Sequence, residues 1–240
     1  MERRNKVFFD VDDTLLDFHT SERNAITTAF RDFALPVNEA VLRRYSEINL
    51  SCWEALEKGT MTRGEVLVRR FAILFEELGV DASPEQVHDR YESLLESGHY
   101  FVPGATELLE TLSPRYDLYL ISNGNTVTQE CRLKSAGIGP YFKGIFISEQ
   151  IGANKPSKAF FDACFAAIPD FRREDAVIVG DSLTSDILGG INAGVRTCWF
   201  NPAHLPGRDG IRPDHEFHAL GELPALLERI FKAEEKTARI

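Results

Sequence analysis

The spacing of apolar and polar positions divides the chain into stretches of different period. Val7-Phe8-Phe9 is a short unbroken apolar run, the pattern of a strand buried on both faces. From about residue 18 to residue 100 the period is helical and hardly any two-residue alternation occurs. Ala25, Ile26, Ala29, Phe30 and Phe33 share one face, and Val41, Leu42, Tyr45, Ile48, Cys52, Trp53 and Leu56 form the stripe of a second helix. Thr62-Arg63-Gly64-Glu65 has the spacing of a capping box, and Gly79 follows as a stop. Ser83-Pro84-Glu85-Gln86 opens a fourth helix with Ser at the N-cap and Pro at the first helical position.

From Pro103 onward the period switches back and forth. Helical stretches carrying Ala105, Leu108, Leu109 and Leu112, then one stopping near Gly137, then one with Phe160, Phe161, Cys164 and Phe165, then 184–193, alternate with strands at 116–121, 144–147, 176–179 and 195–200. Alternation of this kind predicts right-handed βαβ units. The fold class is therefore α/β, a Rossmann-like parallel sheet core with an inserted helical-bundle cap. The core takes residues 1–17 and 101–240, and the cap takes 18–100. A span of that length is too long for a loop between a strand and the next element of a sheet. Placed after the first strand, it is expected to act as a lid that excludes water and reads the unreacting part of a substrate. Residues 202–213, rich in Pro, Gly and charge, read as an irregular loop before a terminal helix with Leu223, Leu226, Leu227 and Ile230.

Composition narrows the function classes. A chain of 240 residues can bury a sizeable core without staples. Its net charge of -10 leaves no electrostatic footprint for a nucleic-acid polymer or an anionic membrane. Cys52, Cys131, Cys164 and Cys198 have neither a C-x-x-C spacing nor a histidine at a zinc interval, and read as reduced thiols. The polar start Met1-Glu2-Arg3-Arg4-Asn5-Lys6 runs directly into the first strand. No signal segment and no membrane span are expected, and the protein is expected to be cytoplasmic.

The chemistry begins where the first strand ends, in Asp10-Val11-Asp12-Asp13-Thr14. In an α/β sheet that end is where ligands bind, and alternate positions would turn Asp10 and Asp12 into one crevice. Two carboxylates that close ionise together only if a cation lies between them; otherwise one keeps its proton. The bland alternative is an acidic turn with Thr14 as a cap. The later strands weigh against it. Ser122 ends one, Lys155 in Gly152-Ala153-Asn154-Lys155-Pro156 lies past another, and Asp181 and Asp186 follow a third. Singly these read as a turn, a surface lysine and a helix N-terminus. Jointly, at the ends of strands in one parallel sheet, they read as a site.

In this order, Asp10-x-Asp12-x-Thr14, Ser122, Lys155 and Gly180-Asp181-x-x-x-x-Asp186, the chain resembles the haloacid dehalogenase-like (HAD) superfamily, with a C1-type helical cap between the first and second motifs. The resemblance covers essentially the whole chain. It implies a phosphatase, since dehalogenases lack the second acid, Asp12. It further implies that Asp10 is the nucleophile of an aspartyl-phosphate pathway and Asp12 the general acid and base. Mg2+ would be bound by Asp10, the Asp12 carbonyl and Asp181 with Asp186 in support, and the phosphoryl oxygens by Thr14, Ser122, the Asn123 backbone N–H and Lys155. Asp13 stands where Gly is common in the superfamily.

Two stretches carry a narrower resemblance, to the bacterial pyrimidine 5'-nucleotidases: 186–201, with Asp186-Ile187-Leu188-Gly189-Gly190 and Thr197-Cys198-Trp199-Phe200-Asn201, and 49–62, with Trp53 and Gly59. The implied partner is a nucleoside 5'-monophosphate such as UMP, dUMP or dTMP. Phe18 or Trp53 would stack on the base and Asn49 would bond to it, in a monomer or homodimer. The rival readings are a HAD phosphatase acting on phosphoglycolate or a sugar phosphate, and a non-enzymatic receiver-like module. A receiver has no cap of this size and needs no proton donor at Asp12.

Overall fold

The computed structural model describes residues 4–237, so that Met1-Glu2-Arg3 of the polar start lies outside the described residues. In chain order the elements are β1 (Lys6–Phe9), α1 (Phe18–Asp32), α2 (Glu39–Glu57), α3 (Arg63–Leu78), α4 (Pro84–Leu95), α5 (Ala105–Leu112), β2 (Asp117–Ser122), α6 (Thr126–Ala136), β3 (Phe142–Ile147), α7 (Ser148–Ile151), α8 (Lys158–Ala166), β4 (Ala176–Gly180), α9 (Leu188–Ala193), β5 (Arg196–Phe200), β6 (His215–Phe217) and α10 (Leu223–Thr237). They form two compact units. One holds residues 1–17, 101–126 and 136–240; the other holds 18–100 together with 127–135.

The first unit is built on a six-stranded sheet in the order β3-β2-β1-β4-β5-β6, with every pairing parallel. Val7, Phe8 and Phe9 have no exposed surface, as a continuous apolar run in a two-sided sheet requires. β1 pairs with β2 on one side and β4 on the other. The chain thus winds outward in both directions from β1, and the crevice beyond its carboxyl end is the switch point at which such sheets bind ligands. Phe8 stacks on Tyr119 and meets Phe165 and Phe171 edge-on, so α8 closes over this face of the sheet.

The two junctions of the insert lie against each other. Leu16 bridges Phe101 antiparallel, and the Val102 N–H donates to the Leu15 carbonyl at 3.0 Å. Three details depart from the sequence reading. The short strand β6 was not expected between the 202–213 loop and the terminal helix. The expected helix over 184–193 starts as one wide π-turn, Leu183–Ile187, before α9. The middle of α6, residues 127–135, groups with the helical unit instead of the sheet.

The helical unit shows the caps its sequence demands. The Asn38 side chain accepts from the N–H groups of Ala40 and Val41, Thr62 and Glu65 complete a capping box, Gly79 closes α3 with φ +63°, and Ser83 caps α4. Its core holds Phe30, Phe71, Leu74 and Val87. Through this core runs a chain of buried polar groups. Glu22 accepts from Ser46 Oγ at 2.6 Å and Asn49 Nδ2 at 2.7 Å. Arg70 donates to Asn49 Oδ1 at 2.9 Å, to Glu92 Oε1 at 3.1 Å and to the Leu67 carbonyl at 3.2 Å. Thr128 Oγ1 donates to Glu92 Oε2 at 2.7 Å, which explains why the middle of α6 belongs here.

An arginine that is 1% exposed is tolerated only while its partners are in place. The substitution Arg70→Leu, which keeps the bulk and takes the Arg70 donor from Glu92 Oε1 and Asn49 Oδ1, is expected to cost about 3–5 kcal/mol. Urea unfolding followed by circular dichroism measures this; a loss below about 1 kcal/mol would contradict the reading.

Candidate active site

The backbone that leaves β1 turns at once. The Asp10 N–H still donates to the Val179 carbonyl at 2.9 Å, continuing the ladder with β4, but Leu15 and Leu16 both donate back to the Val11 carbonyl and Asp13 donates to Leu16. Residues 11–16 therefore form a closed loop. Asp13 adopts φ +58° within it, a left-handed conformation that Gly takes freely and Asp or Asn tolerates best among the others. That geometry accounts for the residue at this position.

Asp10, which is 7% exposed, ends in the crevice beside Lys155 and Asp186, which are 2% and 0% exposed. Lys155 Nζ donates to Asp10 Oδ1 at 2.5 Å, to Asp186 Oδ1 at 2.7 Å and to the Ile121 carbonyl at 3.3 Å, so all its protons are engaged. Its position is set from the backbone. Asn123 Nδ2 donates to the Lys155 carbonyl at 2.9 Å and Asn123 Oδ1 accepts from the Lys155 N–H at 2.8 Å. Asn192 of α9 adds a bond to the next carbonyl, that of Pro156, at 3.0 Å.

Past β4, Gly180 leaves no room for a side chain: a Cβ there would fall inside the Asp186 carboxylate. Asp186 Oδ2 accepts from the Ser182 N–H at 3.1 Å, and Ser182 caps the turn with its side chain on the Ser185 N–H. Asp181 accepts from Thr14 Oγ1 at 3.2 Å, and its carbonyl accepts from the Trp199 indole at 2.7 Å. Ser122, buried at the end of β2, accepts from the Gly124 N–H at 3.0 Å.

Asp10, Asp181 and Asp186 each offer a carboxylate oxygen, and these oxygens lie within 4.8 Å of one another. Three carboxylates against one ammonium leave an excess of negative charge in a dry place. Burial pushes Asp10 up to about 8, against the pull of Lys155 and with the repulsion of Asp186 and Asp12. Burial also raises Asp181 well above the carboxylate range, with Asp10, Asp186 and Asp13 adding to it. Burial alone would lower Lys155, but Asp10 and Asp186 together hold its ammonium above its ordinary value. A donor set of oxygen only, with unbalanced negative charge, fits a hard divalent cation.

The structure thus brings together Asp10, Thr14, Lys155, Asp181 and Asp186, with Ser122 and Asn123 at the neighbouring strand end. Phe18, Asn49 and Trp53 lie in the helical unit. Asn49 is 5% exposed and its amide is engaged at both ends, by Glu22 and Arg70. Phe18 lies under the Arg132 guanidinium, and half-buried Trp53 lies under Arg63. Sequence reasoning did not find three supporting groups: the Asn123 amide on the Lys155 peptide, the missing Cβ of Gly180, and the Trp199 indole on Asp181. Their signals, Gly before Asp181 and Asn after Ser122, are visible only once the pairing of strands is known.

Known proteins are similar to this chain in sequence and in fold. The family model described as haloacid dehalogenase-like hydrolase matches residues 6–194. The HAD-hydrolase YfnB of Bacillus subtilis is 42% identical over 227 residues, 95% of this chain and 97% of that protein. A crystal structure of YfnB bound to magnesium superimposes with a TM-score of 0.90 over 94% of this chain and 99% of that one. The pyrimidine 5'-nucleotidases PynA of Streptococcus pneumoniae and YjjG of Escherichia coli are 35% and 32% identical over 93% and 92% of this chain, and 94% and 96% of their own. Among the described residues no helix is long and apolar enough to cross a membrane.

The charge balance makes a pH prediction. A carboxyl raised to about 8 keeps its proton in the folded chain at pH values where the unfolded chain has lost it. The folded state then binds more protons, so this group's contribution to stability falls as pH rises from about 4 to about 8. In EDTA, Asp10→Asn is expected to gain stability relative to the native chain across that window, and a divalent cation is expected to reduce the difference. Paired urea titrations from about pH 5 to about pH 8 measure it. A difference that does not change with pH would contradict the assignment.

Proposed function

Because the chain belongs to the haloacid dehalogenase-like hydrolase family, we propose that it is a Mg2+-dependent phosphomonoesterase that works through an aspartyl-phosphate on Asp10 and takes pyrimidine nucleoside 5'-monophosphates. The observation that carries this reading is the Lys155 ammonium bridging Asp10 and Asp186 beside Asp181: a candidate nucleophile, its counter-charge and an oxygen-lined cation pocket share one strand-end crevice. Two pyrimidine 5'-nucleotidases among the relatives support the substrate class.

In this reading the Asp10 carboxylate forms a bond to phosphorus as the ester oxygen leaves, and Asp12 gives that oxygen its proton. Asp12, now a carboxylate, takes a proton from water. The water oxygen attacks phosphorus, the Asp10–phosphorus bond breaks, and inorganic phosphate departs with Asp12 reprotonated. Mg2+, held by Asp10, Asp181 and the Asp12 carbonyl with Asp186 in support, would neutralise charge on the phosphoryl oxygens. Thr14, Ser122, the Asn123 N–H and Lys155 complete the phosphoryl cradle. The longest bond of Lys155, to the Ile121 carbonyl, is the one a phosphoryl oxygen replaces at least cost. Base selectivity is assigned to Phe18 and Trp53 of the helical unit.

The test is phosphate release from UMP, dUMP, dTMP, phosphoglycolate and a set of sugar phosphates, with Mg2+ and with EDTA. Turnover is expected to depend on Mg2+, to favour the pyrimidine nucleotides, and to fall roughly 10^3-fold or more in Asp10→Asn. A preference for sugar phosphates would replace the substrate assignment, and an Asp10→Asn enzyme of native activity would refute the nucleophile.

A further inference from the structure

Asp10, Asp181 and Asp186 repel one another across less than 4.8 Å, and each is drawn toward solvent unless something holds it. Asp10 and Asp186 are held by Lys155. Among the bonds described above, Asp181 has none to that ammonium. Its carboxylate accepts from Thr14 at 3.2 Å, a long bond, and its carbonyl accepts from the Trp199 indole N–H at 2.7 Å. Asp181 stands one residue past the end of β4, where its peptide has left the ladder. In β5 Trp199 is the register partner of Gly180. The 4%-exposed indole therefore reaches over the strand end and supplies the donor that the ladder no longer does.

An indole N–H donates and cannot accept, so its partner must be an acceptor, here the Asp181 carbonyl, and the ring plane fixed in the core fixes that carbonyl in turn. We infer that Trp199 is a positioning residue for the cation-binding carboxylate of Asp181 and that its indole senses occupancy of the cation pocket. The inference rests on the reading of that pocket as a Mg2+ site. A wholly structural role for Trp199 would need only the ring; the positioning role needs the N–H.

The substitution Trp199→Phe keeps an aromatic ring in the core and removes the donor. Mg2+ alone is titrated into the full chain by calorimetry, native and variant. The variant is expected to bind Mg2+ about 3- to 30-fold more weakly, the range of one lost hydrogen bond to a buried acceptor. The Mg2+ activation constant for phosphate release is expected to shift by the same factor, with kcat at saturating Mg2+ within about twofold of native. Should the variant fail to fold, Trp53→Phe leaves Trp199 as the sole tryptophan, and its emission is expected to change saturably with Mg2+ at the calorimetric midpoint. Native-like Mg2+ affinity in Trp199→Phe, or emission in Trp53→Phe that does not respond while calorimetry shows binding, overturns the inference alone. A native chain that binds no Mg2+ overturns it together with the metal reading.

Discussion

The buried ammonium of Lys155 is the constraint to which the rest of the site answers. A charge that is 2% exposed persists only with opposite charge and hydrogen bonds around it, and Asp10 and Asp186 provide them at 2.5 and 2.7 Å. Those carboxylates come from the ends of strands or turns far apart in sequence, so the ion pairs need a parallel sheet that brings its carboxyl ends to one edge. The local devices serve the same end: the Asn123 amide grips the Lys155 peptide, Gly180 makes room for Asp186, and the Ser182 N–H turns that carboxylate inward.

The ammonium does not balance the site by itself. With Asp181 added, carboxylates outnumber the single cation, and the upward displacement of Asp10 and Asp181 is the electrostatic expression of that excess. A protein has two ways to hold such a group, to protonate it or to bind a cation. The proposed chemistry uses both, the cation at Asp10 and Asp181 and the proton at Asp12. The helical unit solves a related problem differently: Arg70 is neutralised inside the bundle by Glu92 and the Asn49–Glu22 pair, a closed network with its donors spent on the protein.

Much of this was legible in the sequence because burial writes period into a chain. The unbroken run at Val7–Phe9 and the helical stripes of 18–100 reflect which faces lose water. The cap signals at Thr62 and Ser83 reflect orphan N–H groups that only side chains of that kind satisfy. Asp10 and Asp181 were visible for the same reason, since charge directly after an apolar strand is costly to bury, whereas Lys155 and Asp186 stand farther past β3 and β4 and were legible only jointly with them. What the sequence concealed depends on contacts between elements. The strand β6 is three residues long, too short to show a period. Thr128 ties α6 to α4 by a hydroxyl that any helix surface could carry. Asn49 looked available to a base because its two partners, Glu22 and Arg70, lie on other helices.

The central claim is that Asp10, held between Lys155 and the cation pocket, is the atom donor that accepts the phosphoryl group. It is tested most directly by acid-quenching the native chain within its first turnovers on a nucleoside monophosphate with Mg2+ and locating the covalent phosphoryl adduct by peptide mass spectrometry. The account predicts an adduct on the peptide that contains Asp10, confined to that residue and absent without Mg2+. Phosphate release with no protein adduct, or an adduct on a different residue, would contradict it.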